Sequence, residues 1–207
     1  MQRSRKYPQR TIPRALLYIR ILDDLLKRGK QFVSSGELAR ITGVRDVQIR
    51  KDISNFGPVG KPRVGYQIRA LKNLLEASVQ KKAVQVVLFG MGNLGKAIAR
   101  YPEFHTEKIK IAAAFEKDPR LIGKDLNGIR VYSLEKVNSV VKRTRALIGI
   151  NAVPKEAAQE MADVMVAAGL RGIINFCPTP ITIPDHVAVK NIDLTIEFMT
   201  LLCDINP

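Results

Sequence analysis

Tryptophan is missing from this chain, and histidine and cysteine occur only twice each. Each scarcity closes off a class of function. Cys177 and Cys203 are too few for a disulfide framework and lack the spacing of a metal site. Both sit among apolar residues, so the expectation is two buried free thiols in a reducing cytoplasm and no bound metal. His105 and His186 fall in loop segments with no nucleophile or carboxylate at a diagnostic spacing, and no HExxH, GxSxG or CxxC occurs. No apolar run approaches the ~20 residues that span a bilayer. The basic start, Met1 to Arg14, has neither an apolar centre nor a small-residue cleavage site, so no secretory signal is expected.

Acidic residues are scarce in one part of the chain only. Residues 1–82 hold 19 Lys and Arg against 6 Asp and Glu, a net +13, whereas residues 83–207 hold 15 against 13, a net +2. An excess concentrated in one segment is the electrostatic footprint of a phosphate-binding head. An anionic lipid surface would call for a long amphipathic helix with a Lys/Arg face, which is not present.

Within the head, Leu16, Leu17, Ile19, Ile21, Leu22, Leu25 and Leu26 recur at helical spacing as far as Gly29. Ser34-Ser35-Gly36-Glu37 reads as a capping box, opening a short helix through Leu38, Ala39 and Ile41. After Thr42-Gly43, Asp46 is the expected cap of a second helix that turns Val47, Ile49 and Ile53 inward. Helix, glycine turn and a helix with polar outer positions is the layout of a helix-turn-helix. Its candidate DNA contacts are Arg45, Gln48, Arg50 and Lys51. The stretch from Gly57 to Tyr66 carries three glycines, two prolines and two cations, and reads as a hairpin wing with Lys61 and Arg63 at its tip.

The body opens on Val84 to Phe89, a β-branched apolar run suited to a buried parallel strand. Gly90-Met91-Gly92-Asn93-Leu94-Gly95 follows at once, and then a helical stretch. In that context the glycines have a mechanism: a tight turn at Gly90, backbone approach to a pyrophosphate at Gly92, and close helix–strand packing at Gly95. A second strand, Ile109 to Phe115, ends at Glu116, placed where a carboxylate binds a ribose diol. Glu116 favours NAD(H), since it repels a 2′-phosphate, although Lys117 or Arg120 could neutralise one. Alternation continues with strands at 129–132, 146–150, 172–176 and 188–194 and helices at 134–141 and 156–168. The expected fold is therefore α/β, a doubly wound parallel sheet over residues 83–194 behind a winged helix-turn-helix over residues 1–82. Asn151, Ala152, Val153 and Pro154, with Phe176, fall at carboxyl ends of strands, where ligands bind in such folds. A final helix, 195–207, is apolar nearly all round, so its own sheet is expected to bury one side and a second copy of the chain the rest.

A body of this size holds a nucleotide-binding fold and leaves no room for the substrate domain that dehydrogenases add, so no enzyme is expected. The competing reading is a small nucleotide-binding enzyme, or a CoA-type subunit, with a basic appendage.

Several segments together resemble the Rex-type redox-sensing transcriptional repressors, from about Ile12 to the end of the chain. They are Gln48-Ile49-Arg50-Lys51-Asp52 leading to Phe56-Gly57, Gly65-Tyr66, the Gly90–Gly95 loop, Tyr101-Pro102, Val153 to Gln159 and Gly172 to Phe176. The resemblance implies a homodimer whose C-terminal helices exchange between subunits. It also implies a repressor that holds operator DNA with NAD+ or no ligand and leaves it on binding NADH. Carried over by position, Tyr101, Asp193 and Arg20 would form a polar switch at the domain interface. The chain departs from the family at Lys61-Pro62-Arg63, where Lys-Arg-Gly is usual, at Arg45-Asp46 and at Asn55, which leaves operator preference open.

Overall fold

The computed structural model describes residues 11–60, 64–79, 83–106 and 108–205, and the chain divides into two compact units, residues 1–81 and 82–207. In the first unit, α1 (Thr11–Lys27) buries Ala15, Tyr18, Ile19, Leu22 and Leu25, the i, i+3, i+4, i+7 stripe of an amphipathic helix. Leu16 and Leu17 fall off that stripe and are exposed. After β1 (Phe32–Val33) comes α2 (Ser35–Thr42), where Ser34 Oγ accepts the Glu37 amide at 3.0 Å. The reciprocal half of the expected capping box is absent, because the Glu37 carboxylate takes the Lys30 ammonium instead. Gly43 ends α2 in the left-handed region, φ 71, donating its N–H to Ala39 O. In α3 (Asp46–Ser54), Asp46 is the first helical residue rather than the cap, and its carboxylate pairs with Arg50 one turn on at 2.7 Å. Val47 is not inward either. It lies about 200° around the helix from Ile49, so the two cannot share a core, and Ile49 is buried while Val47 is 65% exposed.

The strand after the expected wing tip, β2 (Tyr66–Gln67), pairs antiparallel with β1, Val33 opposite Tyr66. Among the described residues it makes no ladder with 57–60. The expected tip, Lys61 to Arg63, lies outside the described residues. From β2 the chain enters α4 (Ile68–Val79), which packs Ile68, Leu71 and Leu75 into the core with α1.

The second unit is the expected doubly wound sheet. Its parallel strands are β3 (Val84–Phe89), β4 (Ile109–Phe115), β6 (Ile129–Tyr132), β7 (Ile148–Asn151), β8 (Gly172–Asn175) and β9 (Ala188–Asn191). They stand in the order β6-β4-β3-β7-β8-β9, with β5 (Asp125–Leu126) added antiparallel at the β6 edge. Alternate residues of β3 serve opposite faces. Val86 and Leu88 pack with Ile98 and Ala99 of α5 (Asn93–Arg100). Val87 and Phe89 pack with Val137, Val140 and Val141 of α6 (Val137–Thr144) and with Met161 and Met165 of α7 (Ala158–Ala167). The last helix, α8 (Leu194–Ile205), has no buried residue, so its own sheet does not cover even one side. Cys203, on that helix, is accordingly exposed rather than buried, while Cys177 is buried as expected. No helix among the described residues is long and apolar enough to cross a membrane.

One buried charge ties the first unit together. Asp52, on α3, is fully buried. Its carboxylate accepts from Arg14 Nε and Nη2, the latter at 2.7 Å, from Tyr18 Oη at 2.9 Å and from Gln48 Nε2 at 2.8 Å. Burial pushes this carboxyl upward, but the bonds from Arg14, Gln48 and Tyr18 outweigh it and hold the group below its ordinary 3.8. Burial, with Asp52 as acceptor, in turn pushes the Tyr18 hydroxyl well up. A depressed carboxyl contributes stability that is full above pH 3.8 and is lost as the pH falls through the lower native value. Local opening of α1 and α3, followed by hydrogen exchange, should therefore rise as the pH drops below 3.8. Asp52→Ala should cost about 3 kcal/mol at neutral pH, the lower end for a broken buried pair, because the Arg14 side chain stays 25% exposed. Unchanged protection of α1 in that variant would refute the role given to the pair.

Candidate dinucleotide-binding cleft and nucleic-acid interface

In the body, β3 runs directly into the glycine loop, and the loop into α5. Gly90 has φ +91, and a Cβ on it would stand 2.7 Å from the Ala152 carbonyl oxygen, so conformation and space both demand glycine. A Cβ on Gly95 would stand 1.9 Å from Gly90 O, so the first turn of α5 rests on the end of the strand. Gly92 differs: a Cβ there meets nothing within 4 Å, and the open space before it is a cleft of about 600 Å³. The protein's own packing does not require that glycine. A diphosphate approaching the backbone amides at this helix start would require it.

Met91, Asn93 and Leu94 line the same cleft. Sheet order puts Glu116 on the β4 side of the loop and Ala152, Val153, Pro154 and Phe176 on the β7–β8 side. Glu116 Oε2 accepts the Met91 amide at 2.6 Å, and Oε1 accepts those of Lys117 at 2.8 Å and Asp118 at 3.2 Å. A carboxylate has about four acceptor positions, so it is held firmly and can still take a hydroxyl. Lys117 lines the cleft, whereas Arg120 does not. The Arg120 guanidinium grips Asp118 through Nε at 3.0 Å and Nη2 at 2.8 Å and holds that carboxyl down at about 2.

Asn151 is the exception among the expected lining residues. Its side chain is buried in the sheet, donating to Ala158 O at 3.1 Å and facing Asn175 Oδ1 at 3.4 Å. Asn175 in turn donates to Asn191 Oδ1 at 3.0 Å, so three amides in register cross β7, β8 and β9. Cys177 donates its thiol to Val153 O at 3.1 Å, and burial pushes its pKa up. Lys96 and Lys155 line the cleft but were not singled out in the sequence. Their signal is a cation just inside a helix start that follows a strand.

The expected switch residues are spread over both units. Tyr101 closes α5, half-exposed, its ring 5.8 Å from that of Phe104. Asp193 Oδ1 accepts the Thr195 amide at 2.9 Å and so caps α8. Arg20 is exposed on α1. His105, unremarkable in the sequence, donates Nε2 to Ala99 O at 2.7 Å. Among the described residues no cluster of three or more His, Cys, Asp or Glu is arranged for a metal ion.

On α3, Arg45, Arg50 and Lys51 are exposed. Arg50 Nη1 also donates to Ser35 Oγ at 3.1 Å, which fixes its guanidinium between α2 and α3. Gln48 stands at the margin of the outer face, its amide engaged by Asp52. Lys61 and Arg63 lie outside the described residues.

A helix-turn-helix with a cationic outer face, carried on the same chain as a dinucleotide cleft, defines a DNA-binding protein of the ligand-sensing class. The family profile of the CoA binding domain matches residues 81–179, and that of a putative DNA-binding protein N-terminus matches residues 6–54. The chain is 40% identical over 200 residues to the redox-sensing transcriptional repressor Rex of Desulforamulus reducens, covering 95% of this chain and 94% of that one. To the Rex of Bacillus licheniformis it is 37% identical, covering 95% and 92%. The crystal structure of RSP with β-NAD+ and operator DNA superposes with a TM-score of 0.88 at 35% identity, covering 97% of this chain and 93% of that one. RSP with β-NADH gives 0.87 at 34% identity, covering 98% and 96%. The chain belongs to the Rex family of redox-sensing transcriptional repressors.

Two of the loop glycines should respond differently to a side chain. Gly92→Val should keep stability within about 0.5 kcal/mol and abolish NADH binding, because its side chain fills only the cleft. Gly95→Ala should lower stability by about 3 kcal/mol, since backbone must move to admit the methyl group. Thermal unfolding and calorimetry with NADH separate the two. Equal NADH affinity in Gly92→Val and wild type would place the dinucleotide elsewhere.

Proposed function

We propose that this chain is a homodimeric repressor that binds operator DNA through its head and is released when NADH occupies the cleft of its body. It acts in the cytoplasm as a sensor of NADH against NAD+ rather than as an enzyme. The observation that carries the reading is the apolar lining of the cleft: Val153, Pro154, Phe176 and Pro178 on the β7–β8 side, with Met161 of α7 and Leu134 after β6. NAD+ and NADH differ by one charge and by ring planarity, both at the nicotinamide. An apolar, water-poor surround disfavours the cationic ring and so discriminates the two. Glu116 takes the adenine ribose. With Arg120 committed to Asp118, only Lys117 of the two nearby cations faces the cleft, which supports NAD(H) over NADP(H).

Dimerisation rests on α8, whose Leu194, Ile196, Phe198, Met199, Leu201, Leu202 and Ile205 are all exposed in the single chain. Seven large apolar side chains on twelve residues are too many to leave in water, and a second copy supplies the cover. Arg20, Tyr101 and Asp193 are the proposed switch. Because Asp193 also caps α8, Asp193→Ala confounds loss of charge with loss of a cap worth about 1 kcal/mol. Asp193→Asn keeps the cap and removes only the charge.

Three measurements test the reading. If ~6 phosphates are neutralised, log K against log salt should fall with a slope of about −5. NADH should displace the protein from its DNA at far lower concentration than NAD+. Asp193→Asn should bind NADH like wild type yet need a higher concentration for release. Salt-independent binding, or equal potency of the two nucleotides, would contradict the assignment.

A further inference from the structure

We infer that Val47 reads the 5-methyl group of a thymine in the major groove. The inference rests on the DNA-binding reading above and names what one position of that site recognises. The buried side of α3 is formed by Ile49, Asp52 and Ile53. Directly opposite stands Val47, 65% exposed, with exposed Arg50, Lys51 and Ser54 at i+3, i+4 and i+7. Val47 therefore holds the centre of the face that a helix-turn-helix presents to DNA.

Gln48 cannot take that part with a free amide. The carboxylate of Asp52 only accepts hydrogen bonds, so the Gln48 amide nitrogen must turn toward it, as its 2.8 Å bond shows. A lone exposed valine on an ordinary surface carries no message. Here an apolar protein partner covering Val47 would have to bury Arg50 and Lys51 beside it, at heavy desolvation cost. A polyanion satisfies both cations and leaves the valine to meet whatever apolar group its groove offers. On the base edges of the major groove the thymine methyl is the one such group.

The test uses the full chain to select duplexes from a randomised library, then replaces each thymine of the selected site by deoxyuridine, which deletes only the methyl. At one position the replacement should weaken wild type about 4-fold, the equivalent of ~0.8 kcal/mol for one methyl-sized group. The same replacement should leave Val47→Ala unaffected. The salt slope of Val47→Ala should match wild type, which shows that the helix still docks. Replacing that thymine by cytosine should weaken wild type and 5-methylcytosine should restore part of the loss. Wild type indifferent to every deoxyuridine, or Val47→Ala as sensitive as wild type, overturns the proposal. Failure to select any duplex would overturn the DNA-binding reading beneath it, a different result from indifference to the methyl.

Discussion

A carboxylate that accepts hydrogen bonds only, and has no contact with water, must find every partner inside the fold. Asp52 is such a group, and meeting its demand orders the head. Arg14 and Tyr18 come from α1, Gln48 from the preceding turn of α3, so one anion fastens the reading helix to the first helix of the chain. Desolvating such a charge costs several kcal/mol, and an apolar residue could fill the space at less cost. What an apolar residue could not do is fix rotation. The paired anion sets which face of α3 looks outward, and so leaves Val47, Arg50 and Lys51 exposed on the face proposed to meet DNA.

The body has a contact of the same standing, made of backbone instead of charge. Gly95 against Gly90 O, and Gly90 against Ala152 O, leave no room for a side chain. They draw α5, β3 and the end of β7 together at the point where strand order reverses. That closeness lets the loop amides and Glu116 face one cleft, and it places the ends of β7 and β8 within reach of the same ligand. From there the amides of Asn151, Asn175 and Asn191 run across three strands to the residue just before Ile192, whose own N–H is bonded to Asn175 O. Asp193 follows and caps α8. The β7–β8 side of the cleft and the start of the exposed helix are thus joined by hydrogen bonds rather than by loose chain.

Regular periodicity was readable and pairwise chemistry was not. Alternation on β3, the Ser34 cap and the glycine spacing are local patterns, each set by residues a few positions apart. Val47 escaped because two apolar residues two apart look alike in a short window, and only the helix angle separates them. The burial of Asp52 leaves no local signal, since its cation lies 38 residues away on another helix. Glu37 found Lys30, seven residues back and just before β1, rather than its own cap. Asn151 was assigned to the cleft by its strand end. Its neighbour across the ladder, Asn175, claimed it for the sheet instead. The exposure of α8 and of Cys203 followed from a surface whose cover the sequence could foresee only in kind.

A switch between two dimer arrangements can be moved by a ligand only through the ligand's unequal affinity for them. Passing from mostly bound to mostly released operator requires a ratio of about 10⁴, close to 5.5 kcal/mol. No single contact in the cleft supplies that much, because one charge-assisted hydrogen bond contributes roughly 1.5–3 kcal/mol. Two sites acting on one proposed dimer halve the demand on each. The remaining ~3 kcal/mol per site is within what an apolar surround extracts from a ring that loses its charge on reduction. The ribose and diphosphate contacts are common to both redox forms and contribute affinity without discrimination. Under the proposed reading, selectivity would therefore arise at Val153, Pro154 and Phe176, on the side of the cleft whose asparagine ladder leads to Asp193.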